Sequence, residues 1–495
     1  MNESATSPLA PADAVMWNIE VDPILRSTVV AVAFLATSPD WDELRSRVTD
    51  AVALLPRLRQ RVSSSSSPLG LPRWVQDADF SVDYHLRRVR APEPRTMRAV
   101  LDLAAPIAMD AFDIERPLWE LVLVEGLEGG EAALIQKFHH SIMDGEGAIA
   151  FERQLLDGAD RDGPRIAAPV SRAPAEPPAG DDIPPTLIDA LSEVLREGRD
   201  RGQSVLGAVV AVPVAVTRAT VSTVSDPLGA LRQGSRLVGS IAKGIAPVPE
   251  SASTLLRGRS LDRRFETIDL ALEDLRAAGH ACGGTVNDAF LAAVVGGLMK
   301  YHDRQGAPVD ELRLTMPVSL RHHAPPDGAP HGEPDGAPDK AEGNKFAPVR
   351  FAVPATILDP AERITQLGAL TRRWQHEPFL QHTDLLATAL ARLPAPVAAN
   401  VFGGMLKHVD AVATNVAGLR EGGSLAGARI QREYAFAPPT GAGLNVSLVS
   451  HLDRACIGVT LDAAAVTDDE LFMAGLVEAF DEVIAVAGHH AERTA

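Results

Sequence analysis

The chain has 495 residues, enough for two domains with separate cores. Its 46% hydrophobic and 23% charged residues are those of a globular protein, not a disordered or fibrous one. A net charge of −18 argues against a nucleic-acid partner and means that any polyanionic ligand needs a locally basic mouth. Met1 to Pro11 has neither a basic start nor an apolar core, so no secretion signal is expected. Asp40 to Glu43 has the form of a helix start, with a capping acid and a glutamate three residues on. Trp41, Leu44, Val48, Val52 and Leu55 then recur at helical spacing, the core stripe of an amphipathic helix. Ser63 to Ser67 reads as a loop and Phe80 to Val89 as a strand. Two more strands are expected at Leu118–Leu127 and Ala132–Phe138, parted by the turn Glu128-Gly129-Gly130, with a helix beginning near Glu146.

Residues 157–185 are rich in Asp, Pro, Ala and Gly and read as a linker. Residues 186–260 look helical, interrupted by Pro213 and Pro227. Their apolar run Val205–Val216 is too short for a membrane span; burial between domains is expected ahead of the alternative, a place against a lipid surface. A second α/β segment begins near Leu261, broken by a low-complexity loop at 322–342 in which Pro-Asp-Gly-Ala-Pro occurs twice. The expected domains are therefore 1–160 and 261–495, joined by a connector at 161–260. Cys282 and Cys456 belong to no paired-cysteine motif, which fits a reducing cytoplasm.

The most informative stretch is His139-His140-Ser141-Ile142-Met143-Asp144-Gly145. It follows a buried-strand pattern, so an imidazole stands at a sheet edge where it can exchange a proton near neutral pH. Neighbours on a strand face opposite sides, so His139 and His140 cannot both enter one cleft. One is a candidate base and the other a support. Zinc binding would need a third ligand at a recognisable spacing, and none is found, so no metal is expected. Asp144 suits either the orientation of a histidine or a structural carboxylate–arginine pair, and Gly145 suits a close approach that a Cβ would forbid. Thr285-Val286-Asn287-Asp288 reads, on residues alone, as a helix capping box. Thr414-Asn415-Val416 and Gly443 to Ser447 are strand-to-turn passages whose Asn and Ser are ordinary there, although they could face a cleft.

Together these segments resemble the bacterial wax ester synthase/diacylglycerol acyltransferase family. The resemblance rests on Ser7-Pro8-Leu9 with Asp13, on Arg116 to Glu120 and on His139 to Gly145. It extends to Asn287-Asp288, Met316 to Arg321, Gly343-Asn344 and Thr414-Asn415-Val416. Its order and spacing cover nearly the whole chain. Two features depart from it: Ala417-Gly418-Leu419 stands where the family usually has proline and Gly-Pro, and the loop at 322–342 is longer. The resemblance implies an α/β fold of two chloramphenicol-acetyltransferase-like domains joined by a helical connector, with a substrate tunnel between them. It implies His140 as the base, with His139, Asp144, Gly145 and Arg321 supporting the motif. It further implies Asn287, Asp288, Asn344, Thr414, Asn415, Asn445 and Ser447 as substrate-binding or tunnel residues. The implied partners are acyl-CoA, a co-substrate and not a cofactor, and a lipid alcohol such as diacylglycerol or a long-chain alcohol. Peripheral contact with a membrane or lipid droplet goes with them. Two rivals stand beside this expectation: coenzyme A-dependent transfer to another alcohol, and a non-catalytic lipid-binding relative.

Overall fold

The computed structural model describes residues 6–65, 70–157, 248, 250–319, 346–375, 380, 383–419 and 422–494. The expected linker beyond Asp157, most of the helical connector with its run at 205–216, and the loop at 322–342 lie outside these residues. Arg321 and Asn344 lie outside them as well.

The chain enters through a short strand β1 (Ser7–Pro8) and helix α1 (Pro11–Ile19), then strand β2 (Thr28–Leu35). Helix α2 (Trp41–Leu54) starts as the sequence predicts: the Asp40 carboxylate accepts the Glu43 N–H at 2.8 Å, and Leu44, Val48 and Val52 are buried. Strands β3 (Gln60–Ser63) and β4 (Arg73–Gln76) pair with β1 in a small sheet. The strand expected from Phe80 starts only at Leu86. A helical turn α3 (Val82–His85) precedes β5 (Leu86–Arg90). The reason is His85, whose ring stacks on Trp119 at 4.4 Å and on Phe80 at 5.4 Å while Nδ1 meets the Trp119 carbonyl at 2.7 Å. Helix α4 (Met97–Met109) follows, and then the expected hairpin of β6 (Trp119–Glu125) and β7 (Ala132–His139). Its turn uses Gly129 and Gly130 at φ 73° and 82°. Every residue of β7 is buried, as expected of a strand covered on both faces. Helix α5 (Gly145–Leu155) ends the first half.

The second half begins with β8 (Arg263–Ala271), α6 (Leu272–Ala281) and α7 (Val286–Arg304). Then come β9 (Glu311–Ser319), β10 (Phe346–Pro354), α8 (Pro360–Gln375), α9 (Thr383–Ala391) and α10 (Ala395–Leu406). The C-terminal part contains β11 (Ala411–Ala417), β12 (Ser424–Leu425), β13 (Ala428–Phe436), β14 (Leu444–His451), β15 (Arg454–Asp462) and α11 (Asp469–Thr494). No single helix among the described residues is long and apolar enough to cross a membrane.

Two six-stranded sheets result. The second has the order β10-β9-β11-β14-β15-β8 and buries α7 and α11 on one face through Phe290, Leu298, Phe472 and Phe480. The first has the order β12-β13-β2-β7-β6-β5. The two adjacent strands at one edge, β12 and β13, come from the far end of the chain, so sheet membership does not follow the two halves expected from sequence. One face of this sheet packs on α4 through Val30, Val32, Val122, Ala133 and Ile135. The other packs on α2 and α5 through Ala33, Leu121, Leu134 and Phe138.

Strand β13 also lies against the second sheet. Phe436 stacks on Phe265 of β8 at 4.1 Å, and a Cβ at Gly458 of β15 would stand 2.2 Å from the Ala435 carbonyl oxygen. Glycine is the residue this approach permits. Gly458→Ala should therefore force the sheets apart and cost about 1–3 kcal/mol, as overpacking of a dense core does. Thermal unfolding of the two proteins measures it, and an unchanged melting temperature would show that the approach is loose.

Candidate functional site

The site begins at the end of β7, where alternation separates the two histidines. His139 shares a side of the strand with Lys137, facing α4, and is fully buried. Its Nδ1 accepts the Ser141 N–H at 3.1 Å and lies 2.7 Å from Ser141 Oγ. An accepting Nδ1 places the ring proton on Nε2, which stands 3.0 Å from Glu20 Oε1. Trp17 and Phe112 meet the ring edge-on at 6.1 and 6.3 Å. Burial acts to raise the Glu20 carboxyl, but His139 and the Ser27 N–H that Glu20 accepts outweigh it, and its pKa falls below the ordinary value.

His140 turns the other way, onto the side that carries Gln136 and Phe138, and all three line one cavity. The His140 N–H donates to the Ser27 carbonyl at 2.8 Å, so the ladder with β2 extends to the histidine itself. Asp144 is the N-cap of α5, its Oδ1 accepting the Gly147 N–H at 2.9 Å. Gly145 runs close to β11: a Cβ there would stand 3.0 Å from Val416 Cγ2. Helix α5 and β11 thus touch across the boundary between the two halves.

The cavity has a volume of about 560 Å³. One wall is the α5 face of the first sheet, with Val29, Ala31, Phe138 and Ala435. The opposite wall is the second sheet, where Val412 pairs with Asn445, Thr414 with Ser447 and Val416 with Val449. Helices α1, α9 and α10 close a side with Val15, Ile19, Leu390, Phe402 and Met405. A mostly apolar space with a few polar groups, one of them an imidazole, suits a lipid chain and a proton transfer. Among the described residues, no group of three His, Cys, Asp or Glu side chains stands together as a metal site would.

The sequence-predicted residues divide. His140, Asp144, Gly145, Thr414, Asn415, Asn445 and Ser447 all line the cavity. Ser447 Oγ donates to Asn445 Oδ1 at 2.9 Å, and Asn445 Nδ2 donates to the Pro438 carbonyl at 3.1 Å, so this pair satisfies itself. Asn287 and Asp288 are not in the lining. Asp288 forms the capping box of α7 with Thr285 and accepts the Thr371 hydroxyl at 3.1 Å, and Asn287 Nδ2 meets Met316 Sδ at 3.6 Å. The Asp288 contacts agree with the capping role that the residues alone suggested, and neither side chain lines the cavity.

Comparison with known proteins gives a consistent picture. Residues 9–290 match the profile of the wax ester synthase/diacylglycerol acyltransferase catalytic domain, and residues 342–483 match the C-terminal domain of the same family. A Mycobacterium tuberculosis protein provisionally named as a diacylglycerol O-acyltransferase is 36% identical over 505 aligned residues, which cover 100% of this chain and 96% of the relative. A second such M. tuberculosis protein is 30% identical, with 96% of each chain covered. Among solved structures, the wax ester synthase/diacylglycerol acyltransferase of Marinobacter aquaeolei VT8 superposes with a TM-score of 0.61 at 20% identity. That match covers 97% of this chain and 100% of the other. The first condensation domain of the calcium-dependent antibiotic synthetase superposes at 0.57 and 15% identity, with 98% and 97% covered. At these identities the structural matches establish the fold alone: a mixed α/β architecture in which the whole chain superposes on one condensation domain.

Sequence reasoning missed two acids. Glu20 is one. The other is Glu433 of β13, which lines the cavity at the same strand parity as Ala435 and Ala437. Glu433 and its neighbour Glu152 of α5 are each only 4% exposed. Burial raises both carboxyls, and the Glu433 charge raises Glu152 further, so the pair retains a proton near neutral pH. A folded-state pKa above the unfolded value gives stability that is present in acid and lost as the pH rises through the folded value, about 7 for Glu433. The wild-type melting temperature should fall as the pH rises through that point. The Glu152→Gln/Glu433→Gln double variant should show a shallower fall in the same calorimetric scans. Parallel curves for the two proteins would contradict the shared proton.

Proposed function

Because this chain belongs to the wax ester synthase/diacylglycerol acyltransferase family, we propose that it moves a long-chain acyl group from acyl-CoA to the hydroxyl of a diacylglycerol or a long-chain alcohol. The observation that carries this reading is the His140 imidazole on the wall of an apolar cavity between two sheets, while His139 is locked away from it. Nε2 or Nδ1 of His140 accepts the hydroxyl proton as the alcohol oxygen attacks the thioester carbonyl carbon. The resulting tetrahedral oxyanion needs donors already aimed at it. Asn445 and Ser447 are engaged with each other, and the Thr414 hydroxyl and the Asn415 amide are further side-chain donors on that wall. The intermediate then collapses, the carbon–sulfur bond breaks, and the imidazolium protonates the departing thiolate of coenzyme A. The products are an ester and the free thiol, with no acyl-enzyme and no redox change.

Asp144 supports this chemistry by holding the first turn of α5, beside the catalytic loop, and not by touching the reacting atoms. His140→Ala should lower coenzyme A release from palmitoyl-CoA by roughly 10²–10⁴-fold with either acceptor, while the melting temperature holds. Turnover at the wild-type rate would remove His140 from the base role. Asp144→Ala should lower stability by about 1 kcal/mol, the usual cost of a lost N-cap. An Asp144→Ala protein of full stability and no activity would assign the carboxylate to the chemistry instead.

A further inference from the structure

The Glu152–Glu433 pair is unexplained by ester formation at His140. Glu433 is aligned with Ala33 of β2, and Ala33 with Leu134 of β7, six residues before His140. At about 3.3 Å per residue, that row lies roughly 20 Å along the sheet from the imidazole. Glu433, Ala435 and Ala437 form one continuous strip of the cavity wall, and the two alanines leave room above it. Glu433 ends the strip as a carboxyl among apolar groups.

Buried carboxyls are ordinarily satisfied. Here Glu152 and Glu433 hydrogen-bond each other through the shared proton, and no other polar group among the described residues meets Glu433 Oε2 or either carboxyl oxygen of Glu152. Glu152 stands one helical turn beyond Ala148 and Ile149, which also line the cavity. The cation that acts on Glu152 is Arg153, on the exposed side of α5. Leaving such acceptors unmet in an apolar wall costs free energy, and a hydrocarbon chain passing over them does not recover it. A hydroxyl does, because it can donate to an unshared carboxyl oxygen.

We propose that the Glu152–Glu433 carboxyl pair is a specificity site of this cavity, selecting lipids that carry a hydroxyl remote from the ester-forming group. This rests on the reading that the cavity holds the lipid substrates. The class selected is a long apolar chain with a second hydroxyl, of which an α,ω-diol is the simplest example. Glu433 touches that hydroxyl, and Glu152 acts through Glu433 by sharing its proton and holding its carboxyl in place.

The test measures binding as well as turnover. Full-length protein carrying a displaceable fluorescent fatty acid is titrated with α,ω-diols of increasing length and with the matching primary alcohols. Wild type should prefer the diol by about tenfold at one chain length, beyond the statistical advantage of two ends, which corresponds to one charge-assisted hydrogen bond. Glu433→Met should erase that preference without weakening the plain alcohol. Glu433→Gln, a milder change that keeps a polar side chain, should retain a reduced part of it, and Glu152→Gln should shift it less than Glu433→Met. Equal binding of diol and alcohol by wild type overturns the site, as does a preference that persists in folded Glu433→Met. If acyl transfer is absent but the diol preference is present, the reading of the reaction fails and the carboxyl site stands. If transfer is present without the preference, the reverse holds.

Discussion

His139 sits with both ring nitrogens engaged, Nδ1 against Ser141 and Nε2 against Glu20, in a box edged by Trp17 and Phe112. Strand geometry then leaves His140 one direction, onto the opposite side of β7. The two histidines therefore have different work because they are adjacent. The buried one fixes the strand end and the turn that follows, and the other is presented to a cavity. Asp144 extends the arrangement by capping α5, and Gly145 lets that helix start against Val416 of the other sheet.

The cavity exists because two sheets are held at a fixed separation, and β13 is what holds them. It completes the first sheet by pairing with β2, and it lies so close to β15 that Gly458 has no room for a side chain. The same strand delivers Glu433 and Ala435 to the wall. Packing that joins the halves and chemistry that lines the space between them are thus written on alternate residues of one segment. Tyr434 and Phe436 face the α4 core, while Glu433 and Ala435 face the cavity.

Local signals were legible in the sequence where local physics decides the outcome. The Asp40 cap, the α2 stripe, the β6–β7 hairpin and the start of α5 all follow from residues within a few positions of one another. The histidine motif and its alternation were legible for the same reason. The turn at Val82–His85 was not, because it is imposed by Trp119, far along the chain, on which His85 stacks. The membership of β13 in the first sheet was hidden too, since nothing in its own sequence names its partner strand. Glu20 and Glu433 look like ordinary surface acids until the fold sets Glu20 against His139 and buries Glu433 against Glu152. Asp288 shows the opposite case: the plain capping explanation matches its contacts with Thr285.

Which imidazole meets the apolar cavity decides the proposed mechanism. Carbethoxylation of the full chain by diethylpyrocarbonate, mapped by peptide fragmentation with and without palmitoyl-CoA, reads this directly. The account predicts modification at His140 that palmitoyl-CoA suppresses, with His139 untouched and activity lost in step. Modification of His139 ahead of His140, or a reaction at His140 that acyl-CoA does not slow, would contradict it.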